Sequence, residues 1–191
     1  SEMAEMGYDN RELMEIFVAQ TNRLIAAYAM KKDIPGISRG DQDLVLEKYA
    51  MVQVPRRAEY MDVRPEDFEQ VTAGAKQAFG DTMGTTLKEV EDEFNRRMKA
   101  LDLDEATMRL GKPVQLGCLF SKKDAYAFGM IMPLTMGNGE KLKMGMGATV
   151  MRVRNRLLYV YLYAQYKDEN TVRWLKKTTE AWANAILKAN R

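Results

Sequence analysis

Basic residues are concentrated in the C-terminal part of this chain, where they could bind an anion. Residues 1–112 contain 16 Lys and Arg and 22 Asp and Glu, which gives a net charge of −6. Residues 113–191 contain 13 Lys and Arg and 5 Asp and Glu, which gives +8, so the whole chain carries +2. Basic side chains gathered on one surface attract an acidic protein, a phosphate or an anionic lipid. Five of them flank two predicted turns and form our candidate surface for an anionic partner: Lys122, Lys123, Arg152, Arg154 and Arg156.

Two ordinary interpretations compete with this anionic-partner surface. Turn residues are commonly just solvated, and the acidic helix around residues 89–93 could instead pack against the basic side chains. A nucleic-acid partner is not expected, because aromatic residues are not interleaved with the basic ones and the isoelectric point is only 8.5. An acidic protein, a phosphate and an anionic lipid therefore stay open as partners of this surface.

Three tyrosines alternate along one predicted strand and could form a ligand pocket. Tyr159, Tyr161 and Tyr163 share one face, and Trp174 of the following helix could border it. Rings with polar tips between a sheet and a helix layer suit a small-molecule site. The ordinary interpretation is aromatic core packing with hydroxyls at the sheet margin. A small-molecule-binding domain is accordingly our alternative function.

Methionine is abundant, with 15 residues, and four of its thioethers could converge. The pairs Met130/Met132 and Met144/Met146 each lie on one face of neighbouring predicted strands. Thioethers are soft ligands that suit Cu(I), yet Met more often fills irregular cores. We therefore expect no metal site, with Cu(I) as a remote alternative.

The absence of histidine narrows the possible chemistry. The chain has no His, which excludes Ser-His-Asp and Cys-His nucleophile systems and zinc sites built on His. No pair of acids lies inside the apolar pattern, where burial would raise a pKa toward a catalytic range. We expect no catalytic residue and no cofactor, and an enzyme working through carboxylates, Lys, Tyr or Arg is the least favoured alternative.

The one cysteine, Cys118, excludes an internal disulfide and is expected to be a small buried hydrophobe.

Helical spacing indicates three main helices. Pro65 and the two acids after it mark a helix start, and Gly80 marks its end. A second helix follows, and a short helical turn is expected over residues 105–110. A last helix begins at a cap formed by Asp168 or Asn170 and carries an apolar stripe.

From residue 113 onwards the side chains alternate with period two, which indicates strands. Four strands joined by short turns form an antiparallel meander, with a tight turn at Asn155-Arg156 and a bulge expected at Gly145 or Gly147. Two earlier strands, over residues 24–30 and 44–54, flank a turn-rich loop. The meander strands are Val114–Phe120, Ala125–Met136, Lys141–Arg154 and Leu157–Tyr166.

The last of these strands is apolar on both faces, so a layer must cover each of them. The element order is strand, strand, helix, helix, four strands, helix. It predicts a single α+β domain over residues 1–191, a layered α/β sandwich in which three main helices cover a central antiparallel sheet of about six strands. Residues 1–23 are either part of this domain or a loosely ordered N-terminal segment. No run of about 18 apolar residues is present, so no transmembrane segment is expected.

The end of the chain supplies a family resemblance. The order of the elements and the last two of them are similar to the Mog1/PsbP-like fold of exported bacterial domains. The two closing elements are the strand RNRLLYVYLYAQY and the Trp-containing helix VRWLKKTTEAWANAILKAN. Such domains mostly act as binding or assembly factors. The resemblance therefore implies a non-catalytic binding or assembly domain of the bacterial cell envelope, with a periplasmic or otherwise exported location favoured over a cytoplasmic one. It transfers no functional residue.

Overall fold

A central antiparallel sheet organises the molecule. The computed structural model describes residues 2–7, 10, 14–39, 46–81, 83–102 and 104–190, with the side chains of 78–86 and 105 left out. Within these residues the sheet has eight strands: β1 (Met3–Glu5), β2 (Asn22–Met30), β3 (Lys48–Pro55), β4 (Met108–Leu110), β5 (Val114–Lys122), β6 (Ala125–Met136), β7 (Lys141–Val153) and β8 (Arg156–Gln165). Their order in the sheet is β1-β2-β3-β8-β7-β6, and β4 and β5 both lie along the outer edge of β6.

Two of the helices begin where the sequence supplies start signals. Pro65 opens one of them, and its first turn carries two acids that complement the positive end of the helix dipole. Asp168 caps the last helix by accepting a hydrogen bond from the backbone N–H of Asn170 at 2.7 Å. Both predicted starts are thus confirmed. Within the described residues the α-helices are α1 (Ile34–Ser38), α2 (Pro65–Asp81), α3 (Met83–Ala100) and α4 (Glu169–Ala189).

Strand β8 lies in the middle of the sheet, between β3 and β7, as its two apolar faces predicted. Its aliphatic face, which includes Val160 and Leu162, packs against Leu175 of α4. Its tyrosine face packs with Phe68 of α2. The α+β sandwich is therefore confirmed, with a sheet larger than the six strands expected.

Two glycines of β7 let α4 approach the sheet closely. A methyl group at Gly145 would lie 2.6 Å from Leu175 Cδ1, and one at Gly147 would lie 2.5 Å from Thr179 Oγ1. The bulge predicted at these glycines is wrong, because the register of β7 with β6 and β8 runs without a shift. The two glycines leave space for α4, and neither of them is an extra, unpaired residue of the strand.

The additional strand β4 replaces most of the helical turn expected over residues 105–110. A short 3₁₀ turn occupies Asp104–Ala106, and the chain then becomes extended. Asn95 of α3 binds both the N–H and the C=O of Met108 at 2.7 Å, and Glu91 accepts from the N–H of Leu110 at 2.6 Å. Side chains of α3 thereby provide hydrogen-bond partners for the backbone groups on the outer edge of β4. The spacing of residues along the sequence does not reveal such contacts between distant segments.

Cys118 is exposed, so the expectation of a buried cysteine is wrong. The residue lies on β5, an edge strand whose register with β6 shifts twice, once on each side of Gly117 and Cys118. Gly117 has φ of +76°, a conformation that glycine adopts without strain. Each shift changes which face later side chains occupy, and the period-two pattern therefore placed Cys118 on the wrong side.

The N-terminal strands differ from the prediction mainly in their bounds. β2 and β3 start and end within a few residues of the expected strands, while residues 40–45, part of the predicted loop and second strand, lie outside the described residues. In the first 23 residues, β1 pairs with β2, and Met14 and Val18 are buried. Arg97 of α3 donates to the carbonyls of Ile16 at 2.9 Å and Val18 at 2.8 Å.

Candidate functional site

The β5–β6 and β7–β8 turns meet at one end of the sheet, as a contiguous meander requires. Arg152 joins them: its guanidinium donates to Asp124 Oδ1 at 2.6 and 2.9 Å, and its backbone N–H donates to the carbonyl of Asp124 at 2.9 Å. A further guanidinium nitrogen of Arg152 donates to Asn155 Oδ1 at 2.7 Å. One arginine therefore holds both turns in a fixed relation.

The β7–β8 turn itself is tight and left-handed. Its central residues are Arg154 (φ 47°) and Asn155 (φ 59°), one position earlier than the predicted Asn155-Arg156 turn. Two successive positive φ values are typical of the turn that matches the twist of paired strands. Asn tolerates this conformation well, whereas Arg adopts it only where the surroundings hold it.

The C-terminal end of α4 lies against these turns. Arg154 Nε donates to the carbonyl of Asn190 at 3.3 Å. Lys122 Nζ lies 2.6 Å from Asn184 Oδ1 and 2.9 Å from Glu180 Oε1. Cations near the last carbonyls of a helix are favoured by the negative end of its dipole. Turn and helix thus stabilise each other at this end of the sheet.

Together these elements form a basic surface with two adjoining depressions. One depression, of about 290 Å³, is lined by Arg152, Arg154 and Asn190 among others. The second, of about 590 Å³, is lined by both turn lysines and by residues of α4. Asp124 and Leu187 line both. We call this surface the basic pole and define it by six residues: Lys122, Lys123, Arg152, Arg154, Arg156 and Lys188.

Within the described residues, three residues of the basic pole are bound to other parts of the chain and three are not. Lys122, Arg152 and Arg154 have partners within the chain, as described above. Lys123, Arg156 and Lys188 are exposed and have no ion-pair partner among the residues that the structure describes. The first three cations shape the surface, and the other three are available to an outside carboxylate.

Lys188 was missed from the sequence, although a signal for it exists. In an antiparallel meander β8 runs away from the β7–β8 turn, and the helix that follows must run back toward it. The last turn of α4 therefore returns to the predicted basic surface, and Lys188 lies on that turn. The other five pole residues were predicted; four of them line the depressions, while Arg156 directly follows the turn.

The tyrosine face forms a ladder of rings across β3 and β8. Tyr163 stacks on Tyr49 with ring centroids 4.6 Å apart, and Tyr161 lies 6.4 Å from Tyr163 and 6.3 Å from Tyr159. Burial raises the pKa of Tyr49, Tyr161 and Tyr163 well above the ordinary value. Tyr159 and Tyr161 pack on the cluster that contains Phe68, and the two depressions described above lie elsewhere.

Trp174, expected to border the tyrosines, lies on the other face of the sheet. It packs with the aliphatic cluster under α4, and the ammonium of Lys48 lies 4.5 Å from its ring centroid. The structure thus brings the three β8 tyrosines together and places Trp174 apart from them.

The four methionines pair across neighbouring strands, as expected. Met130 lies opposite Met146, and Met132 lies opposite Met144. Met130 is buried in the cluster with Phe128, against which Met132 and Met146 pack. In the part of the chain that the structure describes, no group of three or more His, Cys, Asp or Glu side chains is placed to hold a metal ion.

Comparisons with known proteins return a structural likeness only. No family model and no curated protein matches this chain. One solved structure, a substituted form of the protein Mog1, matches with 9% sequence identity and a TM-score of 0.33. Another, the Ran-binding protein Mog1p of Saccharomyces cerevisiae, matches with 8% sequence identity and a TM-score of 0.30. Each match covers 91% of this chain and 79% of the other chain. The weak Mog1-like resemblance is thereby found again in solved structures, and we take no functional conclusion from it.

Within the described residues, no helix is long and apolar enough to cross a membrane.

Proposed function

We propose that this protein is a non-catalytic binding domain that holds an acidic protein partner at the basic pole. The observation that carries the proposal is a set of three exposed cations without an ion-pair partner among the described residues: Lys123 and Lys188 line the larger depression, and Arg156 directly follows the β7–β8 turn. Lys123 and Arg156 lie at the two turns that Arg152 and Asp124 hold together, and Lys188 lies on the last turn of α4. A surface whose charges are already in place attracts carboxylates without first having to be ordered.

The geometry favours a protein over the other anions. Three separate cations on turns and a helix end make a patch and not a continuous groove along which a nucleic-acid backbone could run. Exposed ion pairs contribute only about 0.2–1 kcal/mol each, so the pole acts mainly by steering an acidic surface into place. Such steering suits a reversible assembly contact.

A role at the bacterial cell envelope is the finer part of the proposal. It is supported by the resemblance of the element order and the closing strand and helix to exported domains. Fractionation of a producing bacterium tests it. We expect the protein in the periplasmic fraction, and its confinement to the cytoplasm would contradict the location while leaving the binding role intact.

Binding of a labelled decaglutamate peptide tests the proposed role of the basic pole. We compare the protein with the variant Lys123→Glu/Arg156→Glu/Lys188→Glu by fluorescence anisotropy. Reversal of the three free cations should weaken binding at least about tenfold, because attraction becomes repulsion at each position.

A matched control separates position from net charge. The variant Lys88→Glu/Arg96→Glu/Lys99→Glu reverses three exposed cations on α3 and changes the net charge by the same amount. It should bind decaglutamate as the unmodified protein does, apart from a small long-range effect. Equal losses in both variants, or no binding by the unmodified protein, would contradict the proposal.

A further inference from the structure

Two large apolar side chains project side by side from the loop between β3 and α2. Tyr60 is 83% exposed and Met61 is 58% exposed. The loop that carries them is fixed at both ends: Ala58 packs against the Phe68 cluster, and Val63 is buried in it. The projection of Tyr60 and Met61, which we call the apolar tip, therefore belongs to a fixed part of the fold.

The apolar tip lies directly beside the basic pole. The backbone N–H of Val63 donates to the carbonyl of Asn155 at 2.8 Å. Asn155 lies between two residues of the pole, Arg154 and Arg156, in the left-handed turn. The hydrogen bond therefore places the tip within a few residues of the exposed guanidinium groups.

The charges next to the tip nearly balance, so the attraction for an anionic partner comes from the basic pole. Glu59, which precedes it, is paired with Arg23, and this hydrogen bond lowers the pKa of the Glu59 carboxyl. Arg57 on the other side of Glu59 is exposed, and Asp62 is the exposed acid that remains at the loop. Tyr, Met and Arg together are the residue types that interface centres favour.

We propose that the apolar tip and the basic pole form one docking surface for an acidic peptide segment of a partner protein, in which an aromatic or large aliphatic residue accompanies the carboxylates. The inference rests on the proposed function and specifies its partner. The cations bind the carboxylates, and Tyr60 and Met61 cover the apolar residue, which removes apolar surface of both molecules from water. Charge alone would not distinguish this segment from any other acidic one, whereas the tip provides specificity.

Two peptides of equal length and charge test this docking surface. Each has ten Glu residues around a central pair, which is Phe-Leu in one and Ser-Ser in the other. The unmodified protein should bind the Phe-Leu peptide about tenfold more tightly, the size of effect that a well-covered anchor residue produces. The variant Tyr60→Ser/Met61→Ser should lose this preference and bind the Ser-Ser peptide unchanged.

The control variant and the possible outcomes separate this inference from the proposed function. Val114→Ser removes an exposed apolar side chain at the far end of β5 and should keep the preference. Equal affinity of the unmodified protein for both peptides would overturn the inference and leave the basic pole supported. Binding of neither peptide would overturn both. A tip variant that is folded by circular dichroism but binds both peptides equally weakly would overturn the inference, because the tip would then act on the fold and not on the anchor residue.

Discussion

Two threonine hydroxyls are buried where α4 packs on β7. The Oγ1 atoms of Thr149 and Thr179 have no hydrogen-bond partner among the described residues. A buried polar group without a partner costs roughly 1–3 kcal/mol. Valine has nearly the shape of threonine and suits a strand.

We therefore predict that Thr149→Val stabilises the fold. The free energy of unfolding, measured by urea denaturation, should rise by about 1 kcal/mol because the unpaired hydroxyl is removed. Thr149→Ser, which keeps the hydroxyl and loses the methyl, serves as the control and should destabilise. A loss of stability in the valine variant would show that the hydroxyl has a partner.

The tyrosine ladder predicts a loss of stability at alkaline pH. Folding raises the pKa of Tyr161 and Tyr163, so the stability linked to their neutral form is fully present below the ordinary tyrosine pKa of about 10. That stability is lost as the pH rises above this value, because only the unfolded state ionises readily. In Tyr161→Phe the decline of unfolding free energy above pH 10 should be shallower. An unchanged slope would show that Tyr161 ionises equally in both states.

At the scale of elements, the contact between β7 and α4 depends on glycine. Gly147→Ala would place a methyl 2.5 Å from Thr179 Oγ1, so helix and sheet must separate. We expect a loss of about 1–3 kcal/mol in unfolding free energy. Gly74→Ala is the control, since a methyl there meets nothing within 4 Å and the helix gains about 0.5–1 kcal/mol. A harmless Gly147→Ala would contradict the close packing of these two elements.

The joining of the two turns predicts a second effect at this scale. Asp124→Ala leaves the largely buried guanidinium of Arg152 without its carboxylate, which should cost about 1–2 kcal/mol. Binding of decaglutamate should weaken as well, because the turn that carries Lys123 is then no longer fixed by Arg152. Glu66→Ala, which breaks an exposed pair with Arg64, should have little effect on either measurement. Equal stability of the Asp124 variant would show that the turns hold their places independently.

Elements with a strong periodic signal were predictable from sequence, and those that tertiary contacts decide were not. β8 alternates without a break and is followed by a capped amphipathic helix, so both elements and their order were predicted correctly, whereas the side of the sheet on which Trp174 packs was not. β4 is only three residues long and depends on Asn95 and Glu91 of α3. Cys118 was misplaced because the bulges of β5 leave no trace in the spacing of residues.

At the scale of the whole molecule, the meander brings distant residues to one end of the sheet. Turns at residues 121–124 and 153–156 and the end of α4 meet there, and the candidate surface was predictable because alternate turns of a meander share an end. Lys188 required the direction of α4, and the apolar tip required the hydrogen bond between Val63 and Asn155. Neither is visible in local patterns.

The central claim is that this end of the sheet binds an acidic partner. An amide NMR titration of the isotopically labelled protein with decaglutamate tests it most directly, because it reports where the peptide binds as well as whether it does. We predict that the shifting amides lie in residues 121–124, 152–157 and 184–190. The shifts should vanish in Lys123→Glu/Arg156→Glu/Lys188→Glu. Absence of shifts at excess peptide, or shifts centred on α3, would contradict the account.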